Sequence, residues 1–188
     1  MDQNEIIKLS LFENPKNISP RPSSDTETHQ KIYQAFPEIG SIAHFHSTYA
    51  TAWAQSGKPI PCLGTTHADY WYGEIPITRE LNKNEINNNY ERCTGELIVK
   101  KIKSMQINPL YCPGILVNKH GPFVWGENLK EAVKNSEILE NIAKLSYKTI
   151  SINPNSTTIS NDLLVKHHSR KNGPTSYYGQ SKIDKKSS

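Results

Sequence analysis

The chain has 188 residues, 35% of them hydrophobic, and a formal net charge of +4, which fits one domain with a core of its own. It has no run of about 18 apolar residues that could cross a bilayer, no signal-peptide pattern, and no basic stripe interleaved with aromatics that would bind nucleic acid. Its three cysteines are far apart and form no CxxC pair, so the sequence suggests neither a disulfide framework nor a cysteine zinc site. Together these features predict a reduced, cytoplasmic protein without nucleic-acid or membrane partners.

The first half of the chain predicts a loop, two helices and a strand. The loop contains Pro20 and Pro22, and proline disfavours helix at the residue before it. Ser24 or Asp25 then caps the first helix, because a short polar side chain can accept a hydrogen bond from the free N–H groups of a first turn. In chain order we predict a polar segment without an assigned element at 1–19, a helix at 26–36, a strand at 39–47 and a helix at 49–55.

The second half predicts further helices and one strand. Apolar residues recur on one helical face from 128 to 150, and Asn128 with Glu131 makes a plausible capping pair. In chain order we predict a structured loop at 64–79, a buried strand at 115–117, a helix at 128–150, a polar linker at 153–161, a helix from 162 to about 171 and a disordered tail at 181–188. The alternation of strands and helices predicts an α/β or α+β sandwich without fixing the strand order.

Two histidines one residue apart, His44 and His46, are the strongest chemical signal in the sequence. In a strand, side chains at i and i+2 point to the same face and lie roughly 6–7 Å apart. Both imidazoles can then turn onto one cation, with bonds of about 2.0–2.1 Å if the cation is zinc. The alternative is a pair of incidental histidines at a strand edge, and the pattern on its own does not exclude it.

A third histidine, His120, ends a short apolar strand and is followed by Gly121 and Pro122. This arrangement places a side chain at the rim of a sheet, and three neutral imidazoles are a known ligand set for catalytic zinc with one position open. Asp25 is a candidate oxygen ligand, or an acceptor for one of the ligands. A capping or core histidine explains His120 equally well, so the residues alone predict a candidate metal site and no reaction.

Several short motifs follow one another along the chain. They are Pro22-Ser23-Ser24-Asp25-Thr26, Ala43-His44-x-His46-Ser47, Trp53-Ala54-Gln55, Gly64-Thr65-Thr66-His67-Ala68-Asp69-Tyr70, His120-Gly121-Pro122-Phe123-x-Trp125-Gly126 and Tyr177-Tyr178-Gly179-Gln180. These motifs resemble those of the class II aldolase and epimerase family, and they follow the same order from about Pro20 to Gln180. The Gly-Thr-Thr-His-Ala-Asp-Tyr run and the Tyr-Tyr-Gly-Gln ending resemble the L-ribulose-5-phosphate 4-epimerase branch rather than the fuculose-phosphate aldolase branch.

The resemblance implies a role for each candidate site residue. The family's metal ligands correspond to Asp25, His44, His46 and His120. The residues that hold the substrate phosphate correspond to Ser23 and Ser24, and a segment bordering the substrate contains His167 and Arg170. The pair that moves protons corresponds to Asp69 and Tyr178, which in the family reach the metal from a neighbouring subunit.

The same resemblance implies the fold and the reaction. The expected fold is α/β, a class II aldolase-like three-layer α/β/α sandwich around a mainly antiparallel sheet. The expected cofactor is one Zn²⁺ per subunit, with another divalent metal as the alternative, and the expected assembly is a homotetramer with active sites at subunit interfaces. The expected reaction on a phosphorylated ketopentose is conversion of L-ribulose 5-phosphate to D-xylulose 5-phosphate by retro-aldol cleavage and re-addition.

The chain departs from the family pattern at its start. Residues 1–19 lack the Gly-Asn and Lys-Pro-Ser-Gly wording of the family's phosphate loops. We therefore expect a divergent segment at 1–19, an epimerase domain at 20–180 that lacks its N-terminal strands, and a disordered tail at 181–188. The missing loops predict impaired turnover. The alternatives are a non-catalytic fragment that assembles with a full-length homologue and a related sugar-phosphate aldolase.

Overall fold

The structure is a computed structural model that describes residues 6–172 and Ser176. Short strands and helices alternate along this part of the chain. The elements are α1 (Thr26–Ala35), β1 (Ser41–His44), α2 (Thr48–Ser56), α3 (Thr65–Ala68), α4 (Lys83–Ser104), β2 (Gly114–Leu116), β3 (Pro122–Gly126), α5 (Leu129–Ile152) and α6 (Asn161–Lys171), with 3₁₀ turns at Pro15–Asn17 and Pro109–Tyr111. None of the described helices is both long and apolar enough to pass through a bilayer.

The three strands form one antiparallel sheet in the order β1-β3-β2. β1 and β3 pair from Ser41 opposite Gly126 to His44 opposite Phe123. Because antiparallel neighbours run in opposite directions, the end of β1 lies beside the beginning of β3. His44, the last residue of β1, therefore lies next to the turn that carries His120 into β3.

Helix α5 covers the sheet, contacting β1 and β3, and it also packs on α2. Trp71 and Trp125 are fully buried in the core. Their indole N–H groups donate to the carbonyl oxygens of Gly114 at 3.3 Å and Pro109 at 2.9 Å, so neither buried donor is left unpaired. The other large, fully buried side chains are Phe123, Ile32, Ile60, Ile75, Ile98, Ile102, Ile115, Leu116, Leu139 and Ile142.

The helices predicted at 26–36, 49–55, 128–150 and 162–171 are confirmed within two residues at each end. The predicted cap of α5 is present, since the Asn128 side chain accepts from the backbone N–H of Glu131 at 3.0 Å. At α1 the outcome differs. Asp25 occupies the N-cap position but makes no side-chain capping hydrogen bond. Its Oδ2 instead lies 3.9 Å from Nε2 of His44, which connects the start of α1 to the end of β1.

The first strand is shorter than predicted. β1 ends at His44 and does not continue to residue 47. Ser47 is the N-cap of α2, so the chain has to leave the sheet before that residue. His46 thus lies in the turn between β1 and α2, and the prediction that strand alternation directs its side chain is wrong. The turn, rather than the pleat of the strand, sets the direction of His46.

Helix α4 is an element that the sequence patterns do not predict. Small and polar residues such as Thr94 and Gly95 occupy part of its buried face, so the apolar periodicity is weak. Gly95 permits close packing on α1, because a Cβ built there would lie only 2.7 Å from Cβ of Lys31. The helix matters for the site because it carries Tyr90 to the side of His120.

Candidate metal centre

Three imidazole rings converge where the end of β1 meets the turn before β3. One ring nitrogen from each of His44, His46 and His120 lies within 4.8 Å of the other two. The ring centroids are 4.7 to 5.0 Å apart for the three pairs. The structure therefore brings together the three histidines predicted as ligands, although they come from a strand end and two turns. We call these residues the histidine triad.

His44 is held in one orientation by two contacts. Its Nδ1 lies 2.9 Å from the carbonyl oxygen of Pro122. A carbonyl oxygen only accepts, so Nδ1 donates, and the neutral ring keeps its lone pair on Nε2. The ring also stacks on Phe123, with centroids 4.1 Å apart and planes inclined by 14°. A hydrogen bond from the outer nitrogen is how proteins orient metal-binding histidines.

The spacing of the facing nitrogens fits a shared cation. The Nε2 atoms of His44 and His46 are 3.2 Å apart. Tetrahedral bonds of about 2.0–2.1 Å to zinc would place two ligand atoms roughly 3.3 Å apart. Since Nε2 of His44 keeps its lone pair, Nε2–H of His46 donates to it in the tautomer with a proton on that atom. In the other neutral tautomer both Nε2 atoms present lone pairs, and a cation could bind both. The donor set and its spacing therefore fit a divalent metal ion.

Burial favours the neutral form of His44 and His120. It is the largest cause that lowers the pKa of His44 and of His120, and nearby imidazoles lower both pKa values further. The Asp25 carboxylate raises the pKa of both rings, and the Pro122 carbonyl raises that of His44, without reversing the direction. Neutral imidazole is the form that binds metals, so His44 and His120 are in the form that can bind a cation at neutral pH.

The other residues predicted around the metal lie beside the triad. The Asp25 carboxylate is not part of the group of ligand atoms that lie within 4.8 Å of one another. Its Oδ2 is 3.9 Å from Nε2 of His44. Ser23, Asp25 and His29 line one cleft, and Ser24 is exposed next to it. The residues predicted to hold the phosphate thus lie at the start of α1, within one or two residues of Asp25 in the chain.

Tyr90 is a site residue that the sequence patterns do not reveal. Its hydroxyl lies 3.4 Å from Nδ1 of His120. In the tautomer with a proton on Nδ1, the phenol oxygen accepts from the ring and Nε2 keeps its lone pair. Burial, with Asp25 and Glu91 nearby, raises the pKa of Tyr90, so the hydroxyl stays protonated at neutral pH. Tyr90 belongs to none of the sequence motifs, and the helix that contains it is not predicted. The sequence therefore gives no signal for its contact with His120.

A second cluster of charged groups surrounds Asp69 at the end of α3. Arg170 donates to both carboxylate oxygens, from Nε at 3.0 Å and from Nη2 at 2.7 Å. Nδ1 of His167 lies 3.1 Å and Nζ of Lys171 3.5 Å from the same carboxylate. The structure therefore joins Asp69 to the predicted substrate-border residues His167 and Arg170. It does not place the Asp69 carboxylate in the histidine triad of the same chain.

The surroundings of Asp69 stabilise its ionised form. Burial is the largest single cause and raises its pKa, but the hydrogen bonds from Arg170 and His167, together with the charge of Lys171, outweigh burial and lower the pKa below the ordinary value of 3.8. The carboxylate is thus ionised at neutral pH. The second residue of the predicted proton-transfer pair, Tyr178, lies outside the residues that the structure describes.

The depressed pKa of Asp69 predicts a stability that depends on pH. The folded-state pKa lies below the unfolded value, so the unfolded chain binds the extra proton, and the contribution is complete above about pH 4 and lost as the pH falls through the folded-state pKa. At pH 7 the Asp69→Asn substitution is expected to lower the free energy of unfolding by about 2 kcal/mol, because it removes charge-assisted hydrogen bonds. Urea unfolding of both proteins from pH 7 to pH 3 measures the difference. A difference that stays constant over this range would contradict the ionic role.

The sequence of this chain matches one protein-family model and is similar to curated proteins. The family model described as Class II Aldolase and Adducin N-terminal domain matches residues 1–147. Two curated relatives, each named L-ribulose-5-phosphate 4-epimerase UlaF, come from Salmonella paratyphi C (strain RKS4594) and Salmonella choleraesuis (strain SC-B67). Each is 49% identical to this chain over 160 residues, which cover 85% of this chain and 69% of the relative.

The fold has counterparts among solved structures. An L-fuculose 1-phosphate aldolase superposes with a TM-score of 0.63 and 20% sequence identity, over 79% of this chain and 63% of its own. At this identity the likeness shows the fold alone. The predicted class II aldolase-like α/β fold is confirmed, with helices packed on a small antiparallel sheet. The present chain spans less than two thirds of the length of that aldolase.

Proposed function

The chain belongs to the class II aldolase and adducin family, and from this membership we propose that it is a metal-dependent sugar-phosphate 4-epimerase. The proposed reaction interconverts L-ribulose 5-phosphate and D-xylulose 5-phosphate. The observation that carries the proposal is the convergence of three imidazoles in a chain 49% identical to proteins named as 4-epimerases. The enzyme class predicted from the sequence, an isomerase of the class II aldolase family, is that of these relatives.

The proposed cofactor is one divalent metal ion per subunit, with Zn²⁺ preferred because the donors are nitrogens. His44, His46 and His120 would hold it, and Asp25, whose Oδ2 is 3.9 Å from Nε2 of His44, is a candidate oxygen donor. When bound, such an ion supplies Lewis-acid polarisation of substrate oxygens. The Pro122 carbonyl and the Tyr90 hydroxyl would keep two of the rings oriented toward it.

The chemistry at C4 requires proton transfer at oxygen. The hydrogen on C4 is not acidic, so direct abstraction is unfavourable. Cleavage of the C3–C4 bond avoids that step: the C4 hydroxyl loses its proton, and the electron pair of the broken bond passes to an enediolate. The aldehyde fragment then turns, the C3–C4 bond re-forms on its other face, and the new C4 oxygen takes up a proton. One group must remove the first proton and another must supply the second from the opposite side.

We assign these proton transfers to Asp69 and Tyr178. Because Arg170, His167 and Lys171 keep Asp69 ionised, this carboxylate is free of a proton at neutral pH and can act as a base, although the same contacts lower its basicity. Tyr178 is proposed as the complementary donor, because a phenol O–H can give a proton to the new C4 oxygen. His167 and Arg170, predicted to border the substrate, would then act by holding the Asp69 carboxylate.

The proposed assembly is a homotetramer. Asp69 is not one of the grouped ligands of its own chain. We propose that Asp69 of a neighbouring subunit completes each active site, as the family resemblance implies. Ser23 and Ser24 are proposed to bind the substrate phosphate, because they are exposed at the start of α1, where free N–H groups and the helix dipole favour an anion. We place the enzyme in the cytoplasm, as its composition predicts.

The test is a metal analysis combined with an activity assay on the purified chain. We expect about one zinc per subunit after dialysis and interconversion of L-ribulose 5-phosphate and D-xylulose 5-phosphate that stops after chelation and returns with Zn²⁺. Turnover without metal, or formation of dihydroxyacetone and glycolaldehyde phosphate without any epimer, would contradict the proposal. The second outcome would favour an aldolase.

A further inference from the structure

The turn that carries His46 ends in an unusual helix start. Ser47 is the N-cap of α2, yet its side chain makes no capping hydrogen bond. The first-turn N–H groups of Tyr49 and Ala50 donate instead to Glu140 of helix α5, both at 2.9 Å. The Ser47 hydroxyl donates to the same carboxylate at 2.6 Å. One side chain about 90 residues away thus replaces the local cap of α2.

This arrangement is strong for physical reasons. A carboxylate at a helix N-terminus accepts from N–H groups that have no partner within the helix, and it faces the positive end of the helix dipole. Hydrogen bonds to a charged acceptor are also about twice as strong as neutral ones. Helix α5 packs on both β1 and α2, so the Glu140 side chain extends from a rigid support to the turn between them.

His46 is the member of the triad that most needs such support. His44 is fixed by the Pro122 carbonyl and by stacking on Phe123. The side chain of His46 is exposed and lies beyond the end of β1, so the sheet does not orient it. Its direction depends on the backbone of the turn, and the residue that follows it, Ser47, is bound to Glu140.

We propose that Glu140 is a positioning residue that holds the turn at His46 in the geometry that binds metal. This role rests on the proposed metal site, and it assigns to an acidic residue of α5 a function that it performs without touching the ion. Loss of the carboxylate frees the start of α2 and lets His46 move away from His44 and His120. The affinity for the metal then falls while the other two ligands stay in place.

The test compares Glu140→Gln with Glu137→Gln in the full chain. Glutamine has the shape of glutamate but turns an NH₂ group toward donors, so it cannot accept all three hydrogen bonds. Glu137 is an exposed acid on the same helix and controls for the change in charge. Ser47→Ala removes one donor and leaves the carboxylate and both backbone contacts. The probe is Co²⁺ alone, measured by its visible absorption spectrum and by competition with a chelator, and apo-protein unfolding is followed in parallel.

We expect Glu140→Gln to bind Co²⁺ about 10-fold or more weakly, in the range found for residues that support metal ligands. Its visible bands should also change, a change that lower stability alone would not produce. Glu137→Gln should match the unmodified chain, and Ser47→Ala should show a smaller loss. Unchanged affinity and spectrum in Glu140→Gln overturn the role. If Glu140→Gln does not fold, unchanged affinity in Ser47→Ala overturns it.

The unmodified chain separates this inference from the proposed function. If it binds no Co²⁺, the metal site itself is wrong and the positioning role fails with it. If it binds Co²⁺ and the Glu140 and Ser47 variants bind equally well, only the positioning role fails.

Discussion

Replacing His46 with alanine is expected to remove tight binding of zinc by this chain. His46 supplies one of the three nitrogens that lie within 4.8 Å of one another. Its side chain is exposed, so the substitution leaves no cavity in the core. We expect Zn²⁺ affinity to fall at least about a hundredfold, because changes in residues that merely support ligands already lower affinity 10- to 100-fold. Metal content after dialysis and competition titration with a chelator measure the change.

The matched control is His29→Ala. His29 lines the cleft next to the triad but is not one of the three grouped histidines. We expect this variant to retain zinc at the level of the unmodified chain. Zinc retained by the His46 variant at one equivalent and with full affinity would contradict a site built from all three rings.

Replacing Asp69 with asparagine is expected to lower the rate of epimerisation by about 10²- to 10⁴-fold, the usual contribution of a proton-transfer group. Asparagine has nearly the same shape but cannot take up the proton. Zinc binding should be unchanged, because Asp69 is not part of the histidine triad. Cleavage of the epimer whose C4 hydroxyl loses its proton to Tyr178 should be less affected than epimerisation, because epimerisation needs both groups and that cleavage needs only one. The amounts of epimer and of cleavage products, and the zinc content, are measured on one preparation. The temperature is kept well below the unfolding temperature of the variant.

The control for this change is Asp162→Asn. Asp162 is an exposed carboxylate in the first turn of α6, the helix that also carries Arg170. The Asp162→Asn substitution removes the same charge from the same part of the molecule as Asp69→Asn, and we expect near-normal turnover. Equal losses of epimerisation and of cleavage in Asp69→Asn would count against the proton-transfer role and favour a role in folding or substrate binding.

The helices with a clear apolar face were predictable. Helix α5 begins with an asparagine cap and repeats apolar residues at helical spacing, and both signals are local. Helix α4 was not predictable, because Thr94 and Gly95 occupy part of its buried face. The burial of this face depends on packing against α1. A side chain that is small or polar gives no periodic signal, whatever the tertiary contact it makes.

The candidate site divides in the same way. His44, His46 and His120 were predicted as ligands from residue type and motif, and the structure groups them. The direction of His46 was wrongly attributed to a strand. Tyr90 and Glu140, which support the triad, were not foreseen, because each acts on a residue 30 or more positions away.

The amino-acid sequence by itself determined which side chains are present to bind a cation, the family, and the helices whose signals lie within a few residues. Only the tertiary structure decided that the rings meet, that Asp69 is bound by Arg170, and that α5 anchors the turn at His46. The physical reason is that residue chemistry and helix periodicity are local properties of a chain. The distance between residues 44 and 120 is instead set by the antiparallel register of β1 and β3, which only the folded sheet defines.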